Sequence, residues 1–451
     1  MKKIIILFIF SLILTIFSSC GLLLKSILEI SDSFNNSFIL RQGQHGELTK
    51  EETDIVKIAW KYFENNNSES GIPAFVDKEN RFSSWDISSY LSALISANKL
   101  ELINKNQFDE RISKFLYFLN TMPLYKNNLP NKFYNTNGKM LNKEYKLGET
   151  GFSFSDIGRL LIWLKILKNN YPIYSEYVDK AVLRWDLCEL IENFRKKDKY
   201  SKFYNDGFYI ENYSKKGFLL WGINIKDNYE YKDLTKIKIN DFEIFHEIFN
   251  IKNSNNIDAV YSYPFILEGL EFNWDKIVDN NTLDSIHTDM KLFEIAQNIY
   301  KIQENRYLKE NILTAKDNFI INKEPFYLYD TIFAEGYNWN IISFKGDFYS
   351  NYSLVSTKAS FGLWSLWKTD YTKKILEIIS SMYDPQKGWY EGRYEKTASI
   401  EKTISLETNS LILEAFLYKK FGKIYQNNNK VGYYENALKD DFKSYSKACF
   451  K

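Results

Sequence analysis

The chain has 451 residues, enough for one large domain or two ordinary ones around a sizeable core. Lysine and arginine number 59 and aspartate and glutamate 57, so the formal net charge is +2. This near balance argues against nucleic acid as the main partner, because phosphate binding needs a concentrated basic patch. Tryptophan, with ten copies, is the most informative aromatic, since AT-rich codon usage would account for the abundant Phe and Tyr.

Cysteine and histidine are scarce and scattered. Three cysteines are too few for a disulfide framework or a zinc cage, and the three histidines share no metal-ligand spacing. We find no nucleophile elbow, phosphate-binding glycine loop or dinucleotide fingerprint. We therefore expect no cofactor and no metal site built on His or Cys, although a calcium site made of carboxylates stays open.

The N-terminus has the order of an export signal. Two lysines at positions 2 and 3 precede an apolar run over residues 4–17, and Cys20 follows two serines. This pattern resembles a lipoprotein signal peptide over residues 1–20, in which Cys20 is the lipidated residue; an uncleaved membrane anchor is the alternative. In both cases we expect an exported cell-envelope protein that is held at the membrane.

A change in composition marks the start of globular sequence. Polar residues without periodicity predict a flexible tether over residues 21–48. Thr49, with Glu52 three residues later, predicts a capping box that opens the first helix. We predict a single domain over residues 49–451.

Helical periodicity dominates this domain, and two kinds of helix alternate. One kind begins with an aromatic or acidic cluster and continues with small and apolar residues; it occurs at 85–100, 154–167, 209–221, 262–272, 353–367 and 403–418. The other has one charged face and is predicted at 54–63, 107–120, 174–195, 287–306 and 371–383, while residues 224–250 are mixed. Inner and outer helices that alternate in this way form an (α/α)6 toroid. We therefore predict an all-α fold with a short extended insertion near the mouth at residues 325–332.

In such a toroid the N-termini of the inner helices gather at one mouth. The residues that open the predicted inner helices are Trp85 with Asp86, Phe154 with Asp156, Tyr209 with Glu211, Ser262 with Tyr263, residues 356–358 and residues 407–409. Capping is the alternative role for each acid, since acids are common in the first turn of a helix. Arg159 follows Asp156 by three residues and can form an ion pair with it.

Residues 388–395 read Gly-Trp-Tyr-Glu-Gly-Arg-Tyr-Glu. Aromatic faces can lie on sugar rings, an Arg fork can hold hydroxyl groups, and acids can move protons. A buried structural loop, whose Arg pairs with a neighbouring Glu, is the alternative. The candidate functional residues of this segment are Trp389, Tyr390, Glu391, Arg393, Tyr394 and Glu395.

Motifs along most of the chain resemble the bacterial domain of unknown function 3131 family. They are Trp85-Asp86, residues 129–136, 155–161, 184–186, 211–222, 262–271, 326–331 and 388–395, and Thr408-Asn409. The resemblance spans about residues 53–422 and implies a toroid similar to glucan-active glycoside hydrolases of envelope and exopolysaccharide systems. The family pattern favours Asn where this chain has Asp330 and Glu407, which weakens both acids as catalytic candidates.

We predict a glycoside hydrolase or transglycosylase that acts on a glucan-like envelope or extracellular polysaccharide through two carboxyl groups. Glu395 or Glu211 is expected to donate the proton, and Asp86 to act as base or nucleophile. Further substrate contacts are expected from Trp85, Asn135, Asp156, Arg159, Trp221, Tyr329 and Asn409, in addition to residues 389–394. The alternatives are a non-catalytic glycan-binding or assembly lipoprotein of polysaccharide export and, third, a polysaccharide lyase.

Overall fold

The computed structural model describes residues 43–195, 207–223, 225, 231–247, 259–278 and 287–427. The predicted signal peptide, Cys20 and most of the predicted tether lie outside these ranges. The α-helices within them are α1 (Lys50–Asn65), α2 (Ser84–Lys99), α3 (Lys105–Thr121), α4 (Phe154–Asn170), α5 (Ser175–Leu183), α6 (Leu187–Arg195), α7 (Phe208–Leu220), α8 (Tyr263–Phe272), α9 (Met290–Glu310), α10 (Thr357–Leu366), α11 (Asp370–Ile379) and α12 (Leu406–Phe421). Two short 3₁₀ turns cover Pro172–Tyr174 and Tyr231–Asp233.

Six of these helices form a closed inner ring. Each packs against the next and the last returns to the first, in the order α2, α4, α7, α8, α10 and α12. In α12 every residue from Leu406 to Lys419 is buried, as expected of a helix that is surrounded on all sides. The six inner helices predicted from sequence are therefore confirmed, and the chain is a toroid.

The outer layer differs from the prediction at one place. Helices α1, α3, α5 with α6, α9 and α11 lie outside the ring, but the fourth outer position holds a β-hairpin of Thr235–Ile239 (β6) and Phe242–His246 (β7) that packs on α9. Residues 231–247 carry Ile at 237, 239 and 244, and their alternation with polar residues favours a two-stranded ladder over a helix. The mixed character of residues 224–250 in the sequence reflects this hairpin.

The prediction of an all-α fold is wrong, because the loops at the mouth pair into small antiparallel sheets. These strands are β1 (Arg81–Ser83), β2 (Leu124–Tyr125), β3 (Leu129–Pro130), β4 (Phe133–Asn135), β5 (Met140–Leu141), β8 (Ala259–Val260), β9 (Asn318–Ile320), β10 (Tyr327–Asp330), β11 (Phe333–Ala334), β12 (Tyr337–Asn338), β13 (Ile341–Ser343), β14 (Leu354–Ser356), β15 (Tyr383–Asp384), β16 (Gly388–Trp389), β17 (Gly392–Tyr394) and β18 (Ile400–Glu401). Four sheets have three strands each, in the orders β1-β4-β5, β9-β10-β13, β8-β11-β12 and β14-β17-β18. Buried loops must satisfy their backbone N–H and C=O groups, and these ladders do so.

The longest mouth segment, residues 311–356, contains β9 to β14. We call it the mouth insertion. The extended segment predicted at residues 325–332 is β10, which lies at the centre of its sheet, with Tyr329 opposite Asn318 on one side and Ile342 on the other. The prediction of an extended insertion at the mouth is therefore confirmed.

Serine caps fix the start of several inner helices. The hydroxyl groups of Ser83, Ser153, Ser356 and Ser405 each accept the backbone N–H of the third helical residue. The capping box predicted at Thr49 is also present, since its hydroxyl and the Glu52 carboxylate each bond the other's backbone N–H.

The folded domain begins before residue 49. The backbone N–H of Gln44 donates to the Ser365 carbonyl over 2.8 Å, and that of Gly46 donates to the Lys419 carbonyl over 3.0 Å. The last residues assigned to the tether are thus fixed on the toroid. Across the described ranges, no helix combines the length and apolarity needed to cross a membrane.

Close backbone contact between α4 and α7 generates the first prediction. A methyl group at Gly217 would lie 1.9 Å from the Gly158 carbonyl oxygen, so the two helices would have to separate. We expect Gly217→Ala to lower the free energy of unfolding by about 2–3 kcal/mol, as overpacking does. Leu219→Ala, at an exposed position of the same helix, is the control, and urea denaturation compares them. Equal effects of the two substitutions would contradict this contact.

Candidate active site

Asp86 lies in the first turn of α2 at the mouth and is only 7% exposed. Its Oδ2 accepts the Ser83 backbone N–H at 2.7 Å and the Ser83 hydroxyl at 2.6 Å. Its Oδ1 has no hydrogen-bond partner among the described residues. Burial, with the negative charges of Glu407 and Asp156 as smaller contributions, raises the pKa of Asp86 to about 7. The cap is therefore made through one oxygen, and the other is available to carry a proton.

Glu407 lies next to Asp86 in the ring, in the first turn of α12. The Trp85 indole N–H donates to Glu407 Oε1 over 3.1 Å, and the Asn318 amide donates to Oε2 over 3.2 Å. Lys358, in the first turn of α10, contacts Oε2 at 2.8 Å. The first turns of three successive inner helices thus meet here: α2 and α10 supply Trp85 and Lys358, which bond the carboxylate of Glu407 on α12.

Glu407 stays ionised although it is buried. Burial alone would raise the pKa of its carboxyl group, but the charge of Lys358 and the hydrogen bonds from Lys358 and Tyr263 lower that pKa below its usual value. Lys358 itself lies 4.3 Å above the Tyr263 ring, and its own pKa is raised, since Asp317 and Glu407 outweigh the effect of burial. The mouth therefore contains two neighbouring acids, Asp86 and Glu407, whose pKa values are shifted in opposite directions.

Asp317 is a third acid beside Lys358, whose ammonium group is 3.9 Å from Asp317 Oδ1. Its side chain is fully buried, and that burial raises its pKa well above the usual range. Its Oδ1 accepts the Asn318 backbone N–H at 2.8 Å, while Oδ2 has no partner among the described residues. Asp317 is therefore a buried acid with no exposed surface, and its charge contributes to the raised pKa of Lys358.

A fully buried ion pair lies beneath the site. Arg159 contacts the Glu414 carboxylate at 3.0 Å, and its guanidinium lies 4.7 Å from the Trp85 ring centroid. Arg159 also donates to the Tyr263 hydroxyl over 3.2 Å. The predicted pairing of Arg159 with Asp156 is wrong, because the Arg side chain extends toward the ring axis. Since Arg159 has no exposed surface, it supports Trp85 and Tyr263 and does not contact substrate itself.

Aromatic residues surround the carboxylates. Tyr263 opens α8 and lies 6.0 Å from Trp85, between ring centroids. In the mouth insertion, the Tyr327 ring contacts Tyr329 at 5.1 Å, and Tyr329 contacts Tyr261 at 5.8 Å. Tyr327 also accepts the Asn318 amide N–H through its hydroxyl oxygen, at 2.5 Å. Tyr329, a predicted substrate-binding residue, thus belongs to the same aromatic wall as the residues around Glu407.

Glu395 does not suit the predicted role of proton donor. Its carboxylate contacts Lys316 at 2.8 Å and Arg306 at 3.3 Å, and it accepts the Ser353 hydroxyl at 2.6 Å. Burial would raise the pKa of Glu395, but the two cations lower it, so this group holds no proton at neutral pH. Lys316 also binds Asp330 at 2.9 Å, and the cluster fixes the mouth insertion to β17.

Other predicted residues of segment 388–395 have structural roles. Glu391 accepts three hydrogen bonds, from the hydroxyl groups of Ser405 and Thr408 and the Ile320 backbone N–H. Trp389 is fully buried and donates to the Ile55 carbonyl over 3.1 Å. These two side chains cannot stack on or hold a sugar, because packing and hydrogen bonds already enclose them.

The remaining predicted residues fall into three groups. Asp156 and Glu211 lie in the first turns of α4 and α7, so they belong to the ring of helix starts at the mouth. On β17 and just before it, Tyr390, Arg393 and Tyr394 are half-buried, and Arg393 makes no side-chain hydrogen bond or ion pair within the described ranges. Three other side chains bond backbone groups. Asn409 accepts the Trp389 backbone N–H, Asn135 accepts backbone N–H groups of its own turn, and Trp221, at the opposite end of α7, donates to the Leu161 carbonyl.

Sequence reasoning placed Lys358 and Glu407 among the residues that open inner helices, but it gave Lys358 no role, set Glu407 aside and missed Asn318. One signal was present in the sequence: Trp85, Lys358 and Glu407 each follow the first residue of an inner helix. Among the described residues, no group of three or more His, Cys, Asp or Glu is placed to hold a metal ion. The arrangement offers a protonated acid, an ionised carboxylate and aromatic surfaces within one mouth.

The fold and this site define the class: a helical toroid with a carboxylate-lined mouth. The chain belongs to the family described as "Protein of unknown function (DUF3131)", whose profile matches residues 54–422. No curated protein matches the chain by sequence.

Solved structures share the fold at low identity. An endo-β-1,2-glucanase from Chitinophaga pinensis, solved with sophorotriose and glucose, is 12% identical with a TM-score of 0.60, over 84% of this chain and 94% of that one. A β-1,2-glucanase from Parabacteroides distasonis is 10% identical with a TM-score of 0.58, over 88% and 60%. A protein from Bacteroides caccae, provisionally named a glucoamylase, is 10% identical with a TM-score of 0.58, over 83% and 94%. At these identities the likeness shows the fold alone.

The raised pKa of Asp86 predicts a pH-dependent stability. The pKa of Asp86 is about 7 in the folded protein and 3.8 ordinarily. The stability that its protonated form contributes is therefore fully present below pH 3.8 and is lost as the pH rises through about 7. We expect Asp86→Asn to gain stability relative to wild type across this window and to keep a constant advantage above it. Urea denaturation at a series of pH values measures the difference, with Asp370→Asn, an exposed acid in α11, as the control. A constant difference across the window would contradict the shift.

Proposed function

We propose that this protein is an exported glycoside hydrolase or transglycosylase that acts on a glucan-like polysaccharide. One observation carries the proposal: Asp86 and Glu407 lie on adjacent inner helices at the mouth, with pKa values raised and lowered respectively. Environments that shift the pKa values of two carboxyl groups apart in this way are typical of the acid and its ionised partner in glycoside hydrolysis. Among the aromatic side chains around them, Trp85 and Tyr327 are partly exposed and offer faces for sugar rings.

The roles of the two acids follow from their protonation. Asp86 holds a proton near neutral pH, and its Oδ1 can pass that proton to the glycosidic oxygen as the bond to the anomeric carbon breaks. The ionised Glu407 stabilises the positive charge that develops on the sugar, and it accepts a proton from the attacking water or forms the bond to the anomeric carbon itself. This assignment reverses the predicted role of Asp86. Glu211, predicted from sequence as a possible proton donor, is the second candidate for the carboxyl group that acts with Asp86.

Glucans are the substrate class to test first. Two of the solved structures with this fold are named as β-1,2-glucanases, and one of them was solved with sophorotriose. The near-neutral charge of the chain gives no electrostatic preference for an acidic polysaccharide. Linear β-1,2-glucan therefore heads a panel that also contains α-glucans and envelope polysaccharides.

Export is supported by the sequence of the N-terminus. The signal-like segment and its candidate lipidation residue Cys20 lie outside the described residues. We propose that the protein is held at the membrane by a lipid on Cys20 and works outside the cytoplasm.

The first functional prediction concerns turnover. We expect wild type to release new reducing ends or transfer products from a glucan of the panel, detected by proton NMR. Asp86→Asn and Glu407→Gln should each lower kcat by about 10²–10⁴-fold, the range for a lost general acid or base. Activity should decline on the alkaline side with an apparent pKa near 7, because Asp86 then loses its proton.

Glu211→Gln separates the two candidates for the carboxyl group that acts with Asp86. If Glu211→Gln loses turnover and Glu407→Gln keeps it, the role passes to Glu211. If Asp86→Asn retains full turnover with an intact fold, the proposed acid is wrong.

The second functional prediction concerns Lys358. Removing its charge with Lys358→Met should raise the pKa of Glu407, so the acidic limb of the pH profile should move up by about one unit or more while the alkaline limb stays in place. Lys216→Met is the matched control, since Lys216 also forms a largely buried ion pair, with Glu268, away from the mouth. The other charged groups near Glu407 are Asp86, Arg159, Asp317 and Glu414. An acidic limb that Lys358→Met leaves unmoved would contradict this role.

One observation favours the non-catalytic alternative, a glycan-binding lipoprotein of polysaccharide export. Both oxygens of Glu407 already accept hydrogen bonds from Trp85, Asn318 and Lys358, as they would in a purely structural site. Saturable glucan binding without any product in the NMR assay would favour this alternative over hydrolysis.

A further inference from the structure

The mouth insertion carries an unusual number of exposed aromatic side chains. Tyr337 is 65% exposed, Phe348 58%, and Phe326 and Phe344 47% each. Half of the strongly exposed aromatic residues in the described part of the chain fall between residues 326 and 348. Single exposed apolar residues are ordinary, but a cluster of them marks a binding surface.

Two of these side chains form a defined pair. The rings of Tyr337 and Phe348 meet edge to face, with 6.1 Å between centroids and 82° between planes. Tyr337 lies on β12, and Phe348 follows a turn in which the Ser343 backbone bonds both Gly346 and Asp347. Ile342 and Phe348 also form a β-bridge. Backbone hydrogen bonds therefore hold the exposed pair in place before any ligand arrives.

The pair is continuous with the proposed site. Tyr337 and Ala259 both face Ala334 across the sheet β8-β11-β12, so their backbones lie about 10 Å apart by strand spacing. Tyr261, two residues after Ala259, contacts Tyr329 in the aromatic wall described above. Aromatic residues thus extend from Glu407 outward to the edge of the mouth.

Few charged residues lie beside the pair in the sequence: Lys345 and Asp347 in the turn before Phe348, and Glu335 two residues before Tyr337. We propose that Tyr337 and Phe348 form an outer subsite that stacks on the sugar units of a neutral glucan chain extending from the central carboxylates. This inference rests on the proposed function. It predicts that a long chain binds more tightly than a short one, because only a long chain reaches both places.

Calorimetric titration of the Asp86→Asn protein with long linear β-1,2-glucan and with sophorotriose tests the subsite, since this variant should not consume the ligand. Adding Tyr337→Ala or Phe348→Ala should weaken binding of the long glucan about tenfold, which corresponds to about 1.4 kcal/mol, and leave the trisaccharide affinity in place. Tyr117→Ala, which removes a 71% exposed aromatic from α3, is the matched control and should change neither affinity.

The outcomes separate this inference from the proposed function. Wild-type turnover together with an unchanged affinity of the Tyr337→Ala and Phe348→Ala variants for long glucan would overturn the outer subsite alone. Self-association of wild type that both substitutions abolish, measured by sedimentation, would make the pair a contact between copies of this chain and would also overturn it. If wild type neither turns over nor binds any glucan, the proposed function is wrong, and the subsite that rests on it is wrong as well.

Discussion

The ion pair between Lys358 and Glu407 is the interaction on which the mouth of this toroid depends. Burying either charge alone would cost several kcal/mol, and their contact at 2.8 Å, with hydrogen bonds from Trp85 and Asn318, offsets that cost. The pair also joins the first turns of two neighbouring inner helices. Without the lysine, burial would favour a protonated Glu407, and that acid would no longer add a negative charge beside Asp86. The difference between the two carboxyl groups thus originates in one ammonium group.

The toroid brings this chemistry together from distant parts of the sequence. Each inner helix contributes its first turn, and a serine cap at several of them fixes where that turn begins. The mouth insertion adds Asn318 and Tyr327, and the cluster of Lys316, Asp330 and Glu395 holds it there. Of the charged residues that the sequence suggests as catalytic, some therefore lie at the mouth and others hold its wall in place.

Much of the fold could be predicted from sequence, because inner and outer helices bury different fractions of their surface. An inner helix such as α12 is buried on every side, whereas an outer helix such as α3 keeps one charged face, and this contrast is visible in residue order. The small sheets were missed because strands of two or three residues are too short for an alternating pattern to be recognised. They form because neighbouring mouth loops need partners for their backbone groups.

The site could be predicted only in part. Trp85 and Asp86 were identified because they open a helix, which is a local property. Glu395 and Trp389 were misjudged because their neighbours Lys316 and Ile55 come from remote segments, and burial of a loop residue has no periodic signal. Glu407 was set aside for departing from the family pattern, while its partner Lys358 lies 49 residues earlier in the chain.

The titration of Asp86 itself tests its role as the proton donor most directly. Carbon-13 NMR of protein labelled at the aspartate carboxyl carbons, with Asp86→Asn to assign the resonance, follows its protonation with pH. We expect a midpoint near pH 7. A midpoint near the ordinary aspartate value of 3.8 would show an ionised Asp86 at neutral pH and would contradict its role as the proton donor.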